Sequence, residues 1–408
     1  MKKLVVIRRL VLGCLCLTSF DTVAGIRGVI QLDGPALLPG VKHKIVVLEY
    51  DNPGSGTWGK DISQILAHEV LGTVSGISGV GIINLEQPEY KRVDLSSENI
   101  QQIGTKQEAS IVIWGEFYSD SVNVFLHSRL RVIPQSELSL SASGLGAYPM
   151  NATPPTFQID FAPITVSIET LNNLSSYFNQ TTTIKDAPHG NGKTIGTLPV
   201  GAAYYLLQKE GEWTRIQVRN GSTGWVRLST LGAQKELKEV QSVVTLSQGI
   251  LQLLAGNFRA SEQSLKSYLD LFGNNQDNMN RSFAYLLLGT AKLRNYENPL
   301  TEFEKAANLL PNHASPINYL AIAYLLEPED IFYDVVKAQE LERRLILGIK
   351  SQNNLESIQN LQSFYSIALY RGMLNDGSLS HEEFTARLHQ RISLLNEIKE
   401  KVNESRGY

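Results

Sequence analysis

The chain predicts a multidomain α+β protein: an α/β domain, then a small β-barrel, then a C-terminal α-helical array. Three observations predict it. β-Branched runs alternate with amphipathic helical patterns as far as Arg131. From Thr181 the apolar runs shorten and are punctuated by Gly, Pro and Asn-Gly signals at the spacing of an all-β module. From about Lys235 to Lys401 the apolar period becomes that of a helix. The implied boundaries are 1–24 for a leader, 40–135 for the α/β domain and 136–178 for a linker or extension. They continue with 179–232 for the barrel and 236–402 for the helices. A chain of 408 residues is long enough to bury several cores.

Residues 1–24 have the order of a cleaved signal peptide. Lys2, Lys3, Arg8 and Arg9 make a basic n-region and Leu10 to Phe20 an apolar h-region. The c-region is Asp21-Thr22-Val23-Ala24, with Thr22 and Ala24 at the −3 and −1 places and the cut before Gly25. The apolar run is too short to persist as a membrane-spanning helix. A second reading takes Val11-Leu12-Gly13-Cys14 as a lipobox, which would leave Cys14 acylated and the protein membrane-anchored. Arg8 and Arg9 would then sit inside the apolar stretch and leave little of it.

Both cysteines, Cys14 and Cys16, fall in this leader, so the mature chain would hold no disulfide, thiolate metal site or cysteine nucleophile. A formal charge of −3 and a pI near 6.2 provide no basic stripe for phosphates, which argues against nucleic acid as a partner.

In the α/β region, Lys44 to Tyr50 reads as a strand covered on both faces. A helix follows with Trp58, Ile62, Ile65, Leu66 and Val70 on one side, ending near Gly72 to Gly76. Val80 to Leu85 is a second strand. Ser96 is placed to cap a helix running through Ile103 and stopped by Gly104. Ile111 to Glu116 and Val122 to Arg131 are strands joined at Ser119-Asp120-Ser121, and Ile164 to Tyr177 suits a connecting helix. The βαβαββ order, with Trp58 to Val70 after the first strand and Glu108 to Phe117 at the third, resembles the amino-terminal domain of TolB and related envelope proteins. That resemblance implies a docking module without catalysis.

Between Thr181 and Leu231, Ile195-Gly196-Thr197-Leu198, Gly201, Trp213 and Gly224-Trp225-Val226 follow at spacings that resemble the bacterial SH3 (SH3b) domain. The resemblance implies a small barrel that binds cell-wall peptide or a protein partner. One of Trp213 and Trp225 is expected in its core, because so small a barrel has little else to fill it. Alternation sends Tyr204 and Tyr205 to opposite faces, and a ligand groove would use one of them with the loop Lys185 to Lys193. Tyr204, Tyr205, Trp213 and Trp225 are the candidate ligand-binding residues.

The helical region resembles tetratricopeptide (TPR) repeats. Gly249, Ala255-Gly256-Asn257-Phe258, Leu265 and Tyr268 carry a first unit. Leu288-Gly289-Thr290-Ala291 with Phe303-Glu304-Lys305-Ala306 and Leu310-Pro311-Asn312 carry a second. Tyr319 to Tyr324 opens a third, and Phe364 to Arg371 with Phe384 to Ile398 suggests a last pair. Ser261 stands where the first unit should have Ala, and Glu327 to Asn354 breaks the period. The resemblance implies a concave surface for protein partners; a generic helical bundle is the alternative.

Two stretches imitate a phosphate loop. Gly54 to Asp61 follows a strand and opens a helix, so Gly54, Gly59 and Lys60 define an alternative nucleotide site. Asp61, however, stands where a magnesium-ligating hydroxyl belongs, and Glu86 and Glu116 only approximate the second acidic element. Ala187 to Thr194 has the right ending but runs into a strand. The histidines form no close metal-ligand pair, and no nucleophile elbow occurs. The expected function is therefore a non-enzymatic periplasmic scaffold of the bacterial envelope, without cofactor or metal. Its partners are proteins and peptidoglycan; a cell-wall sensor is a further alternative. The exported protein is expected to have the intact mass of a chain beginning at Gly25. Lipid on Cys14 would convert it to the anchored form, and an uncleaved Met1 in the cytosol would overturn export.

Overall fold

Strand β1 (His43–Leu48) is buried along its whole length, as its β-branched run requires. The structure is a computed structural model and describes residues 38, 40–52, 58–85, 97–133, 158–178, 181–200, 202–218, 221–227, 240–326, 335–352 and 380–405. β1 pairs in parallel with β2 (Val80–Leu85) on one side and β3 (Ala109–Ser119) on the other. Helix α1 (Gly59–Val74) packs on one face of this sheet and α2 (Ser97–Lys106) on the other. Ser96 lies outside the described residues. Gly104 does not stop α2, which runs on to Lys106: a Cβ there would come within 2.4 Å of Ile133, so this glycine permits close packing on the sheet.

β4 (Asn123–Val132) returns antiparallel to β3, and Asp120 accepts the Val122 and Asn123 amides at the turn. Two short strands, β5 (Gln158–Asp160) and β6 (Ile164–Ser167), pair with β4, and α3 (Ile168–Phe178) follows. The expected connecting helix thus begins only after a strand.

The next five strands are β7 (Thr182–Lys185), β8 (Thr194–Leu198), β9 (Tyr204–Glu210), β10 (Trp213–Val218) and β11 (Thr223–Arg227). They are antiparallel, in the order β9-β10-β11-β7-β8. They do not stand apart. β9 also pairs with β2 through Ile82↔Leu206 and Ile83↔Tyr205, so one open mixed sheet of eleven strands runs through both regions. A register shift in the β9–β10 ladder leaves Leu207 without a partner on β10.

The core explains why no indole is needed inside these strands. Ile184, Leu198, Leu206, Ile216 and Val226 belong to the same apolar cluster as Ile45, Leu66 and Val70 of the α/β region. Trp213 and Trp225 are only half-buried, which corrects the expectation of a core indole. A second cluster on the opposite face joins Val46, Leu48, Ile83 and Trp114 to Ile100 and Ile103 of α2.

The remaining elements are helices: α4 (Val240–Leu254), α5 (Phe258–Phe272), α6 (Asn278–Arg294), α7 (Leu300–Leu309), α8 (Ala314–Leu326), α9 (Val335–Gln352) and α10 (His381–Ser405). Successive helices from α4 to α9 pack together, and α6 also touches α4 and α8. A Cβ on Gly289 would lie 2.4 Å from the Phe303 ring, and one on Gly249 2.8 Å from Leu265. The buried Ser261 hydroxyl donates to the Gly249 carbonyl at 2.7 Å. Within the stretch where the repeat period breaks, α9 is nevertheless a helix, tied to α10 by Glu342 and Arg391 at 2.9 Å. Residues 364–371 lie outside the described residues.

Because β9 completes its pairing on β2, the fragment Thr181–Leu231 should not fold stably alone. Poor amide dispersion in its NMR spectrum is expected, and a cooperative unfolding transition of the isolated fragment would refute this.

Candidate functional site

Helix α1 is held from several directions. At its start the Trp58 indole donates to Asn172 Oδ1 at 3.2 Å, and Ser175 favours the charged form of Asp61, both from α3. Midway, His68 Nε2 and the Tyr204 hydroxyl of β9 share a hydrogen bond of 3.3 Å. At its end Lys209 of β9 lies over Gly72, and Gln248 of α4 donates to the Thr73 carbonyl at 3.2 Å. α1 carries no basic residue in its last turn. A cation and an amide from distant parts of the chain therefore supply the favourable interactions at its carbonyl end.

The crevice beside α1 is lined by Gln64, His68, Asn84 and Tyr204 among small apolar neighbours. Burial first, then the Lys209 ammonium, pushes the His68 imidazole down to about 3. Burial raises the Tyr204 phenol. A histidine so depressed is a poor base at neutral pH, and its geometry suits joining β9 to α1.

The alternative nucleotide residues are used differently. Gly54 lies outside the described residues. Gly59 is pressed against the Tyr50 backbone, where a Cβ would approach the carbonyl oxygen to 2.1 Å. Lys60 is half-buried at the start of α1. Burial raises the Asp61 carboxyl, while Ser175 and Lys60 partly offset this. Glu86 and Cys14 lie outside the described residues. Glu116 accepts from Arg129 at 2.8 Å and lies 3.3 Å from His127. Along Ala187 to Thr194, the Gly190 and Gly192 carbonyls accept from Lys185, and Asp186 accepts the Lys193 amide. The His189, Gly192 and Lys193 amides of that loop are already taken by the Ala187 and His189 carbonyls and by Asp186.

The β10–β11 register creates a different surface. Trp213 lies opposite Arg227 and Arg215 opposite Trp225, so two indoles and two guanidiniums alternate on one face. Thr214, Ile216 and Val226 point the other way, into the core. Lys185 sits beside Trp225 on β7 and is held by the 186–193 loop. Arg227 is ion-paired with Glu212, whereas Arg215 has no ion-pair partner among the described residues. Tyr204 faces α1, and Tyr205 packs against the cluster on the opposite face. Trp213 and Trp225 are thus brought together, while the two tyrosines are separated.

Sequence reasoning missed Arg215 and Arg227, although each strand carries Trp-x-Arg: Trp213-Thr214-Arg215 and Trp225-Val226-Arg227. His68 and Lys209 had no local signal, because their partners are far away in the chain. Among the described residues no group of three or more metal-ligating side chains occurs, and no helix is long and apolar enough to cross a membrane. No protein-family model matches the chain, and no curated protein matches it.

The His68 shift sets a pH dependence. The unfolded chain binds a proton near 6.5, while the folded one resists until about 3, so this stabilisation is complete above 6.5 and lost as pH falls towards 3. In urea unfolding, His68→Gln should reduce the loss of stability between about pH 7 and about pH 4.5. An unchanged loss would refute the assignment.

Proposed function

We propose that this chain is an exported, non-enzymatic adaptor of a bacterial envelope. In this reading Thr181–Leu231 is an SH3-like module, residues 236–402 are TPR-like helices, and the first domain is a TolB-like docking module. The protein is periplasmic after cleavage of its leader, or membrane-anchored if Cys14 is acylated. It binds protein partners through the helices and a peptide or peptidoglycan stem through the SH3-like strands.

The observation that carries the proposal is the Trp213–Arg227 and Arg215–Trp225 lattice. Tryptophan and arginine are the residues most often found at energetic centres of interfaces. Indoles give flat apolar area, and the guanidiniums suit carboxylates. The ligand favoured is therefore an extended peptide bearing carboxylates. Polar groups elsewhere support binding over chemistry: His68 and Asp61 are engaged in holding α1 to its neighbours.

The test is tryptophan fluorescence of the mature chain titrated with solubilised peptidoglycan fragments and with a glutamate-rich peptide. Arg215→Glu should weaken binding by about tenfold or more, since loss of a charge-assisted contact costs about 1.5–3 kcal/mol. Absence of binding to either ligand, or binding unaffected by Arg215→Glu in a folded protein, would overturn the proposal.

A further inference from the structure

Strand register lays one row of side chains across the outer face of the later strands. Gln208 of β9 lies opposite Arg215 of β10, which lies opposite Trp225 of β11. Trp225 in turn lies opposite Lys185 of β7, and Lys185 opposite Thr194 of β8. The row therefore holds a cation on either side of an indole and no carboxylate. Arg215 is exposed and Lys185 half-buried, and neither has an ion-pair partner among the described residues. Nearby acids are placed elsewhere: Glu212 is paired with Arg227, Glu210 lies a row away opposite Trp213, and Asp186 accepts the Lys193 amide.

Lys185 is fixed in advance. Its ammonium donates to the Gly192 and Gly190 carbonyls at 2.9 and 3.3 Å. The loop that offers them is closed by the Asp186 amide on the Lys193 carbonyl and the Gly192 amide on the His189 carbonyl. A Cβ on Gly192 would come within 2.9 Å of the Ala187 carbonyl oxygen, so the turn is tight. An ammonium has three donors, and the third is left for an anion.

We propose that Arg215 and Lys185 form a clamp over Trp225 for an extended peptide with acidic residues at positions i and i+2. Arg215 and Lys185 stand two strands apart, so their Cα atoms are about 10 Å apart. In an extended peptide, side chains i and i+2 leave one face about 7 Å apart, whereas adjacent ones point to opposite faces. Two long cationic side chains span the difference, and the indole supplies flat apolar area beneath the peptide backbone. A cation held before binding also lowers the ordering cost of the complex. This deepens the reading of the Trp and Arg lattice as a site for carboxylate-bearing peptides, and rests on it.

The test is calorimetric titration of the full mature chain with four peptides in one neutral host sequence: Glu-Ala-Glu, Gln-Ala-Glu, Glu-Ala-Gln and Glu-Glu-Ala. Glu-Ala-Glu should bind about fivefold or more tighter than each of the others, including Glu-Glu-Ala of the same charge. In Lys185→Met one of the two Gln replacements should lose its effect, and in Arg215→Met the other should. Equal binding of Glu-Ala-Glu and Glu-Glu-Ala would overturn the clamp, because the surface would then read charge without spacing. So would a Lys185→Met variant that weakens all four peptides by one factor, or none of them, since Lys185 would then only close its loop. Peptidoglycan fragments that bind while all four peptides fail defeat the clamp alone. Failure of fragments and peptides together defeats the lattice reading as well.

Discussion

Helix α1 is the element on which the sheet, the later strands and the first of the C-terminal helices meet. It packs on β1, β2 and β3, and it is also touched by β9, α3 and α4. Its buried face, from Ile62 to Val74, contributes to the largest apolar cluster. Each later region touches it: Trp58, just before the helix, donates to Asn172, His68 shares a hydrogen bond with Tyr204, Lys209 lies over Gly72, and Gln248 donates to the Thr73 carbonyl. Displacing α1 would therefore disturb the sheet, the later strands and the first helical hairpin together.

Tyr50 fixes the start of this arrangement. Its ring lies against Gly115, where a Cβ would meet it at 2.4 Å, and its backbone lies against Gly59. The hydroxyl donates to Ser128 Oγ at 2.7 Å in the interior. Burial raises the phenol, so it remains protonated and able to donate. Tyr50 thus crowds two glycines far apart in sequence, Gly59 by its backbone and Gly115 by its ring, with the His127 carbonyl closing on Gly115 from the neighbouring strand.

The apolar cluster continues from the sheet through Val243 and Val244 of α4 to Phe283 and Phe303. Regions that read as separate modules are consequently held by one interior, and surfaces expected at module ends are partly consumed. On the outer face of β10 and β11, Arg215 and Arg227 remain exposed beside half-buried Trp213 and Trp225.

Much of the element order was legible, because local periodicity reports it: the β1 run, the helical spacing of α1 and the turn at Asp120 all appear where the pattern places them. Gly289 could likewise be read as a close-approach site from its place between Leu288 and Ala291. The pairing of β2 with β9 was not legible, since alternation along Tyr204 to Leu207 states which residues share a face but not which strand lies beside them. The same limit hid the Trp and Arg lattice, which exists only once β10 and β11 are in register. Sequence alone determined the local periods, the turns and the residue types available. Tertiary structure decided which distant elements meet, because strand pairing and helix capping are long-range choices made by the burial of a shared core.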